Sequence, residues 1–136
     1  DINTITDSNS AFASISTPQG KYLVEFFIIK HNNGYLIDCE KSNVGQLIKI
    51  FSNYKLRSKV NFNNISNNYV AGIISKDKFC SLENSKNSLG FTIEYKTNPI
   101  FIDPRNELLG ARLIASLEKL HLSIKKLNLM SGVAAP

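Results

Sequence analysis

The sequence predicts an α+β fold in which helices pack on one face of an antiparallel sheet. Three observations support this class: short runs alternating between apolar and polar residues, turn signals between those runs, and a change to helical spacing at residues 41–54. The chain has 136 residues, of which 43% are hydrophobic. That length and composition suffice for one domain with a sizeable core, so we expect a single α+β unit.

The first 39 residues predict a three-stranded antiparallel meander. Residues 11–16 alternate between apolar and polar, and Thr17-Pro18-Gln19-Gly20 has the composition of a turn. A long apolar strand is expected at residues 21–30. Residues 31–34 contain an Asn-Gly pair, which is typical of a tight hairpin, and residues 35–39 form the returning strand.

Residues 41–54 predict a helix that docks on this sheet. Their apolar side chains recur at intervals of three and four residues, which places them on one face of a helix. Ser42 or Asn43 can supply the oxygen that caps the first turn. The four side chains expected to be mostly buried are Val44, Leu47, Ile48 and Phe51.

The remaining elements are shorter. We expect strands at residues 60–62, 69–74 and 90–96, and a polar surface loop from Lys76 to Leu89. Asp103-Pro104 has the pattern of a helix start, with the helix ending near Gly110. A last helix is predicted from the helical spacing of Leu117, Leu120, Ile124 and Leu127.

Charge is distributed unevenly along the chain. Residues 1–40 carry two lysines against five acidic residues, whereas residues 41–136 carry fourteen basic and six acidic residues, for a net charge of +5 overall. Such asymmetry indicates either an anionic partner or a solvated lysine surface. Cys39 and Cys80 are far apart and form no metal-binding motif, so we expect reduced thiols and no directly bound metal.

Two charged residues stand out as candidates for a site. Glu25 interrupts an apolar strand, so its carboxylate either lines a cleft with a partner or points to solvent by strand alternation. Arg57 follows the predicted helix 41–54, where a cation either compensates the helix dipole or holds a ligand carboxylate. The residues alone leave both pairs of alternatives open.

Several motifs, taken together and in order, resemble those of the YgfZ-type folate-binding family, relatives of the glycine-cleavage T-protein. The resemblance spans most of the chain. Its expected fold is the T-protein-like N-terminal region. The motifs are TPQGK at residues 17–21, GYLIDC at 34–39, YKLRSKV at 54–60, DPR at 103–105 and LGAR at 109–112.

The resemblance also implies that residues 1–136 are a partial folate-binding region. Asp1-Ile2 is similar to the end of an opening motif of the family, and its KGCYxGQE motif with the reactive cysteine has no counterpart here. We therefore expect no complete catalytic set and no enzyme activity. Cys39 and Cys80 do not stand at the place of that cysteine.

The implied function is that of a tetrahydrofolate-binding accessory protein, which supports assembly or repair of iron–sulfur clusters and, indirectly, tRNA modification. The resemblance implies Glu25, Tyr54 and Arg57 as folate-binding residues. It also implies iron–sulfur proteins as partners, and a location in the bacterial cytoplasm or, as a second choice, the mitochondrial matrix. We expect neither membrane association nor direct nucleic-acid binding.

Two other functions remain open at this point. One is a small RNA-binding module that uses the basic helix end and exposed aromatic side chains, although no aromatic RNA-binding motif is present. The other is a structural remnant of the family that binds no ligand.

Overall fold

A computed structural model describes residues 4–16, 20, 23–55 and 62–117. Within these ranges the chain forms two antiparallel sheets, so the expectation of a single sheet is wrong. The strands are β1 Ala11–Ser16, β2 Leu23–His31, β3 Gly34–Cys39, β4 Tyr69–Ile74, β5 Thr92–Tyr95, β6 Asn98–Ile102 and β7 Ala111–Ser116, and the α-helices are α1 Val44–Lys55 and α2 Lys76–Cys80.

The first sheet is the predicted meander, with strand order β1-β2-β3. Strands β2 and β3 are joined by a two-residue turn at Asn32 and Asn33, whose φ angles are 48° and 65°. Asparagine tolerates this left-handed conformation, and two such residues match the right-handed twist of the flanking strands. The local chemistry of the turn therefore sets the register of the hairpin.

The second sheet has the order β4-β7-β6-β5. Strands β4 and β5 were expected, but β6 and β7 were not. All five residues of β6 are buried, so its sequence does not alternate and offers no periodic signal. The chain crosses from β6 to β7 through a short 3-10 turn, Glu107–Leu109, that ends at Gly110.

The helix start predicted at Asp103 is wrong. The 3-10 turn is capped instead by Asn106, whose side chain accepts a hydrogen bond from the Leu108 N–H. The Asp103 carboxylate accepts bonds from Arg105, so it is not available as a cap.

Helix α1 packs on the outer face of the first sheet, as predicted, but the residues it buries differ in part from the predicted ones. Leu47 and Ile50 are buried, and they pack with Val24 and Phe26 of β2. The other three predicted positions, Val44, Ile48 and Phe51, are half-buried because they border a cavity beside β3.

The segment expected to be a surface loop contains helix α2. The Ser75 hydroxyl caps it by accepting a hydrogen bond from the Lys78 N–H at 3.1 Å. Its Phe79 side chain is fully buried against the outer face of the second sheet. Only one apolar side chain of α2, that of Phe79, is buried, so the segment lacks the repeated apolar positions by which a helix is predicted from sequence.

The two sheets pack face to face, with an apolar layer between them. The rings of Phe27 and Phe101, one from each sheet, lie 5.6 Å apart. The layer order is therefore α1, first sheet, second sheet, α2. The buried members of the layer between the sheets are Phe27, Ile29, Ala71, Phe101 and Ile114.

Three sequence predictions fall outside the described residues. These are the strand at 60–62 apart from Phe62, most of the turn at 17–20, and the last helix beyond Leu117. Phe62 itself is not in a strand, and Leu117 is exposed after β7.

Replacing Gly110 by alanine is expected to destabilise the protein, whereas Gly45→Ala should not. Gly110 has φ 82° and ψ −154°, and an added Cβ would lie 2.6 Å from the Ile74 carbonyl oxygen. Backbone strain in this glycine-only region costs about 1–3 kcal/mol before the clash is counted. Gly45, in α1, has open space around its Cβ position, so alanine should stabilise that helix by up to about 1 kcal/mol.

The measurement is urea unfolding of both variants, each compared with the unmodified chain. Equal midpoints for the two alanine variants would contradict the backbone conformation described at Gly110.

Candidate functional site

A buried ion pair joins the two sheets. Asp38 of β3 is 2% exposed, and its Oδ2 accepts a hydrogen bond from Nε of Arg112 in β7 at 2.7 Å. The other carboxylate oxygen, Oδ1, is buried and has no hydrogen-bond partner among the described residues. An unpaired buried charge is strongly unfavourable, so Arg112 is required for Asp38 to be buried as a carboxylate.

Two guanidinium groups lie over phenylalanine rings beside this pair. The Arg112 guanidinium carbon is 4.7 Å from the Phe27 ring centroid. Arg105 lies 5.0 Å from the same centroid and 4.9 Å from that of Phe12. The rings of Phe12 and Phe27 contact each other edge to face at 5.0 Å. These cation–π contacts hold both arginines against the first sheet.

Arg105 is fixed by its own chain neighbour Asp103. Nε and Nη2 of Arg105 donate to the two oxygens of Asp103 at 2.9 and 2.6 Å, a bidentate arrangement. The Arg105 backbone N–H also donates to Asp103 Oδ1. The hydrogen bond to Asp103 raises the pKa of Arg105, with a further contribution from the charge of Glu25. The guanidinium is therefore preorganised, and 42% of its side chain remains exposed.

Glu25 is an exposed carboxylate beside this arginine. It lies opposite Ser14 of β1 and, two residues from Phe27, on the same face of β2. The structure favours the second alternative, because Glu25 is open to solvent. Its charge still contributes to the raised pKa of Arg105. We call Glu25, Asp38, Asp103, Arg105 and Arg112, together with the rings of Phe12 and Phe27, the arginine cluster.

Of the three predicted folate-binding residues, Glu25 is the one whose side chain the structure describes. Tyr54 is in α1, which packs on the face of β2 that carries Val24 and Phe26, opposite to Glu25. The side chain of Tyr54 and the whole of Arg57 lie outside the described part of the chain. The ligand roles of these two residues therefore stay predictions.

Sequence reasoning did not select three other charged residues of the arginine cluster. Asp38, Arg105 and Arg112 belong to three of the motifs in the sequence, but none of them was predicted to be a site residue. The sequence signal that could have found them is the one that pointed to Glu25, namely a charged residue within or next to a largely apolar run. Asp38 and Arg112 are 74 positions apart, so only the packing of the sheets reveals that they form a pair.

A second feature lies on the other side of β3. A cavity of about 730 Å³ runs between β3, helix α1 and residues 62–66, with Tyr69 and Ile114 on its inner wall. Its lining is mostly apolar and includes Asp38. Asp38, a member of the arginine cluster, therefore also lines the cavity.

The described residues contain no group of three or more His, Cys, Asp or Glu side chains that could hold a metal ion. In the same ranges, no helix has the length and apolar character needed to span a membrane. Cys39 and Cys80 are both free thiols, as expected.

Removing Arg112 should destabilise the fold far more than the loss of a surface charge would. In Arg112→Met, Asp38 stays buried without its partner, and we expect a loss of about 3–5 kcal/mol. The double variant Asp38→Leu/Arg112→Met removes both charges and should recover most of that stability. Denaturant unfolding of the three proteins measures both effects. A loss below about 1 kcal/mol in the single variant would mean that the pair behaves as an exposed one.

Cys39 should resist alkylation while the protein is folded. Burial, together with the nearby charges of Asp38 and Glu40, raises the pKa of its thiol from 9.0 to about 11. Between about pH 9 and pH 11 the thiol is therefore protonated in the folded protein but ionised in the unfolded chain. The stability that the protonated thiol contributes below pH 9 is lost as the pH rises through this range.

At pH 8 we expect iodoacetamide to modify Cys39 about a hundredfold more slowly in the folded chain than in the urea-unfolded chain. Mass spectrometry of the cysteine peptides gives both rates, and exposed Cys80 serves as the internal reference. Equal rates for Cys39 in the two states would contradict its burial.

Comparisons of the chain with protein-family models, with curated proteins and with solved structures found no match.

Proposed function

We propose that this chain binds tetrahydrofolate and acts as an accessory protein for the assembly or repair of iron–sulfur clusters, and thereby for tRNA modification. The observation that carries the binding part is the exposed Glu25 carboxylate beside the preorganised Arg105 and the Phe12 ring. The cellular role comes from the motif resemblance alone. No catalytic residue and no resident metal are part of the proposal.

The chemistry of the cluster suits a flat heterocycle with hydrogen-bond donors along one edge. A pterin has this form, and an ionised carboxylate accepts such donors through charge-assisted bonds. Phe12 is half-buried, so part of its ring adds apolar surface next to the charged groups. Because Asp103 already orients Arg105, little side-chain freedom would be lost when a ligand binds.

The balance of charge favours a donor-bearing ring over a phosphate. The cluster contains three carboxylates and two guanidinium groups, so its net charge is −1. Two of the carboxylates are paired with the arginines, and the third, Glu25, is exposed to solvent. A phosphate backbone would be repelled by it, which argues against RNA binding at this place. We propose that the basic residues of 41–136 attract the negatively charged glutamate tail of folate. Tyr54 and Arg57 are the predicted contacts of that tail.

Folate binding is proposed without aminomethyl transfer. The T-protein relatives use an acidic residue on the strand that follows the glycine turn, and by position Glu25 resembles it. A glutamate in place of aspartate moves the carboxylate by about one bond length, which disturbs the alignment that proton transfer requires. The bacterial cytoplasm, or the mitochondrial matrix, stays the predicted location.

Glu25→Gln should weaken tetrahydrofolate binding about tenfold, because an exposed carboxylate contributes the lower part of the range for charge-assisted hydrogen bonds. Isothermal titration under anaerobic conditions measures the affinity. Glu94→Gln is the matched control, since Glu94 is also an exposed strand glutamate but lies in β5 of the other sheet. Its affinity should equal that of the unmodified chain.

Three results would contradict the proposal in different ways. No heat at millimolar tetrahydrofolate would remove the ligand role from this chain. Tight binding of a single-stranded RNA oligonucleotide instead would favour the RNA-binding module. Equal affinities for the Glu25→Gln and Glu94→Gln variants would keep folate binding and exclude the arginine cluster as its place.

A further inference from the structure

The guanidinium of Arg105 is oriented by contacts that leave one of its edges unused. Two of its N–H donors, on Nε and Nη2, are bonded to the carboxylate of Asp103. One flat face lies over the rings of Phe12 and Phe27. The N–H groups of Nη1 and the second N–H of Nη2 make no hydrogen bond to the described residues, and the side chain is 42% exposed. Arg105 therefore directs this terminal edge toward solvent in a fixed orientation.

Glu25 lies next to these donors on the same face of the β1–β2 pair. It is two residues from Phe27, a separation of about 6.5 Å along the strand. Its neighbour Ser14, directly opposite in β1, is exposed as well. Among the described residues, the ion-pair partner of Arg105 is Asp103 and not Glu25. An exposed acceptor and an exposed set of donors are thus close to each other without being bonded to each other.

A ring that carries donors next to an acceptor is complementary to this pair. On one edge of a tetrahydropterin, the exocyclic amino group and the neighbouring ring N–H are donors, and the ring carbonyl oxygen is an acceptor. A carboxylate accepts hydrogen bonds from two such donors, and a guanidinium donates to a carbonyl oxygen. A free anion matches Arg105 less well, because the carboxylate of Glu25 repels it.

We propose that Arg105 determines the specificity of the proposed folate site by donating to the ring carbonyl oxygen of the pterin, while Glu25 accepts from the neighbouring N–H donors. This inference rests on the proposed function and adds a choice between pteridines. In tetrahydroaminopterin an amino group replaces the carbonyl oxygen, so the ring presents donors to the donors of Arg105. A site whose donors are left unpaired rejects such an analogue, and the chain therefore prefers tetrahydrofolate.

The first test compares the two ligands on the unmodified chain by isothermal titration under anaerobic conditions. Tetrahydrofolate should bind at least about tenfold more tightly than tetrahydroaminopterin, which is the ratio that one charge-assisted hydrogen bond supplies. The comparison needs no variant, so its result does not depend on whether a substitution disturbs the fold.

The second test repeats both titrations with Arg105→Met, which keeps a long side chain and removes the donors. The preference should fall to within about threefold, because tetrahydrofolate loses a hydrogen bond and the analogue loses a repulsion. A purely structural effect would weaken both ligands alike and leave their ratio unchanged. Lys49→Met is the matched control, since Lys49 is an exposed cation of α1, on the other face of the first sheet, and should keep the full preference.

Guanosine is a third ligand, because guanine presents the same row of two donors and one acceptor. It lacks the glutamate tail that the basic residues attract, so it should bind at least about tenfold more weakly than tetrahydrofolate. Guanosine that binds as tightly as tetrahydrofolate would assign the pair to a nucleoside and overturn the assignment to a pterin.

The remaining outcomes separate this inference from the proposed function. Equal or tighter binding of tetrahydroaminopterin by the unmodified chain would overturn the role of Arg105 and leave folate binding intact. A preference that persists in Arg105→Met would assign the discrimination to another residue and overturn it as well. Absence of binding by all three ligands at millimolar concentration would contradict the proposed function, and the role of Arg105 with it.

Discussion

The buried contact between Asp38 and Arg112 is the interaction on which the arrangement of this protein depends. It is a charged link between the two sheets, and the Phe27 ring lies beside it in the apolar layer. Burying a charge is unfavourable unless it is paired, and the half-buried Arg112 pairs with the buried Asp38 carboxylate at 2.7 Å. Neighbouring groups stabilise the arginine further, since its guanidinium also lies over the ring. The relative position of the sheets is thereby restricted to one in which these two side chains meet.

The first sheet separates two environments of different chemistry. On the side of the second sheet, the arginine cluster presents exposed charge next to aromatic rings. On the side of α1, the cavity presents mostly apolar side chains. Asp38 borders both, so a change at this residue is felt by the ion pair, by the cavity wall and by the thiol of Cys39. The proposed folate site belongs to the first of these environments.

Three motifs that are distant in sequence meet at the ion pair and its neighbours. Asp38 belongs to GYLIDC, Arg105 to DPR and Arg112 to LGAR. The DPR segment is locally self-contained, since Asp103 binds Arg105 within two residues, whereas the Asp38–Arg112 pair exists through packing alone. The motif resemblance indicated these segments, and the contacts in the structure show which interaction each side chain makes.

The sequence by itself determined the meander and helix α1, because alternation of period two, asparagines suited to a tight turn and helical spacing are local properties of the chain. It also pointed to Glu25 through the interruption of an apolar strand. Only the tertiary structure decided that there are two sheets, since β6 is buried throughout and α2 is held by the single ring of Phe79. The ion pair of Asp38 and Arg112 was decided there too, because a contact between residues 74 positions apart arises from packing that no local pattern encodes.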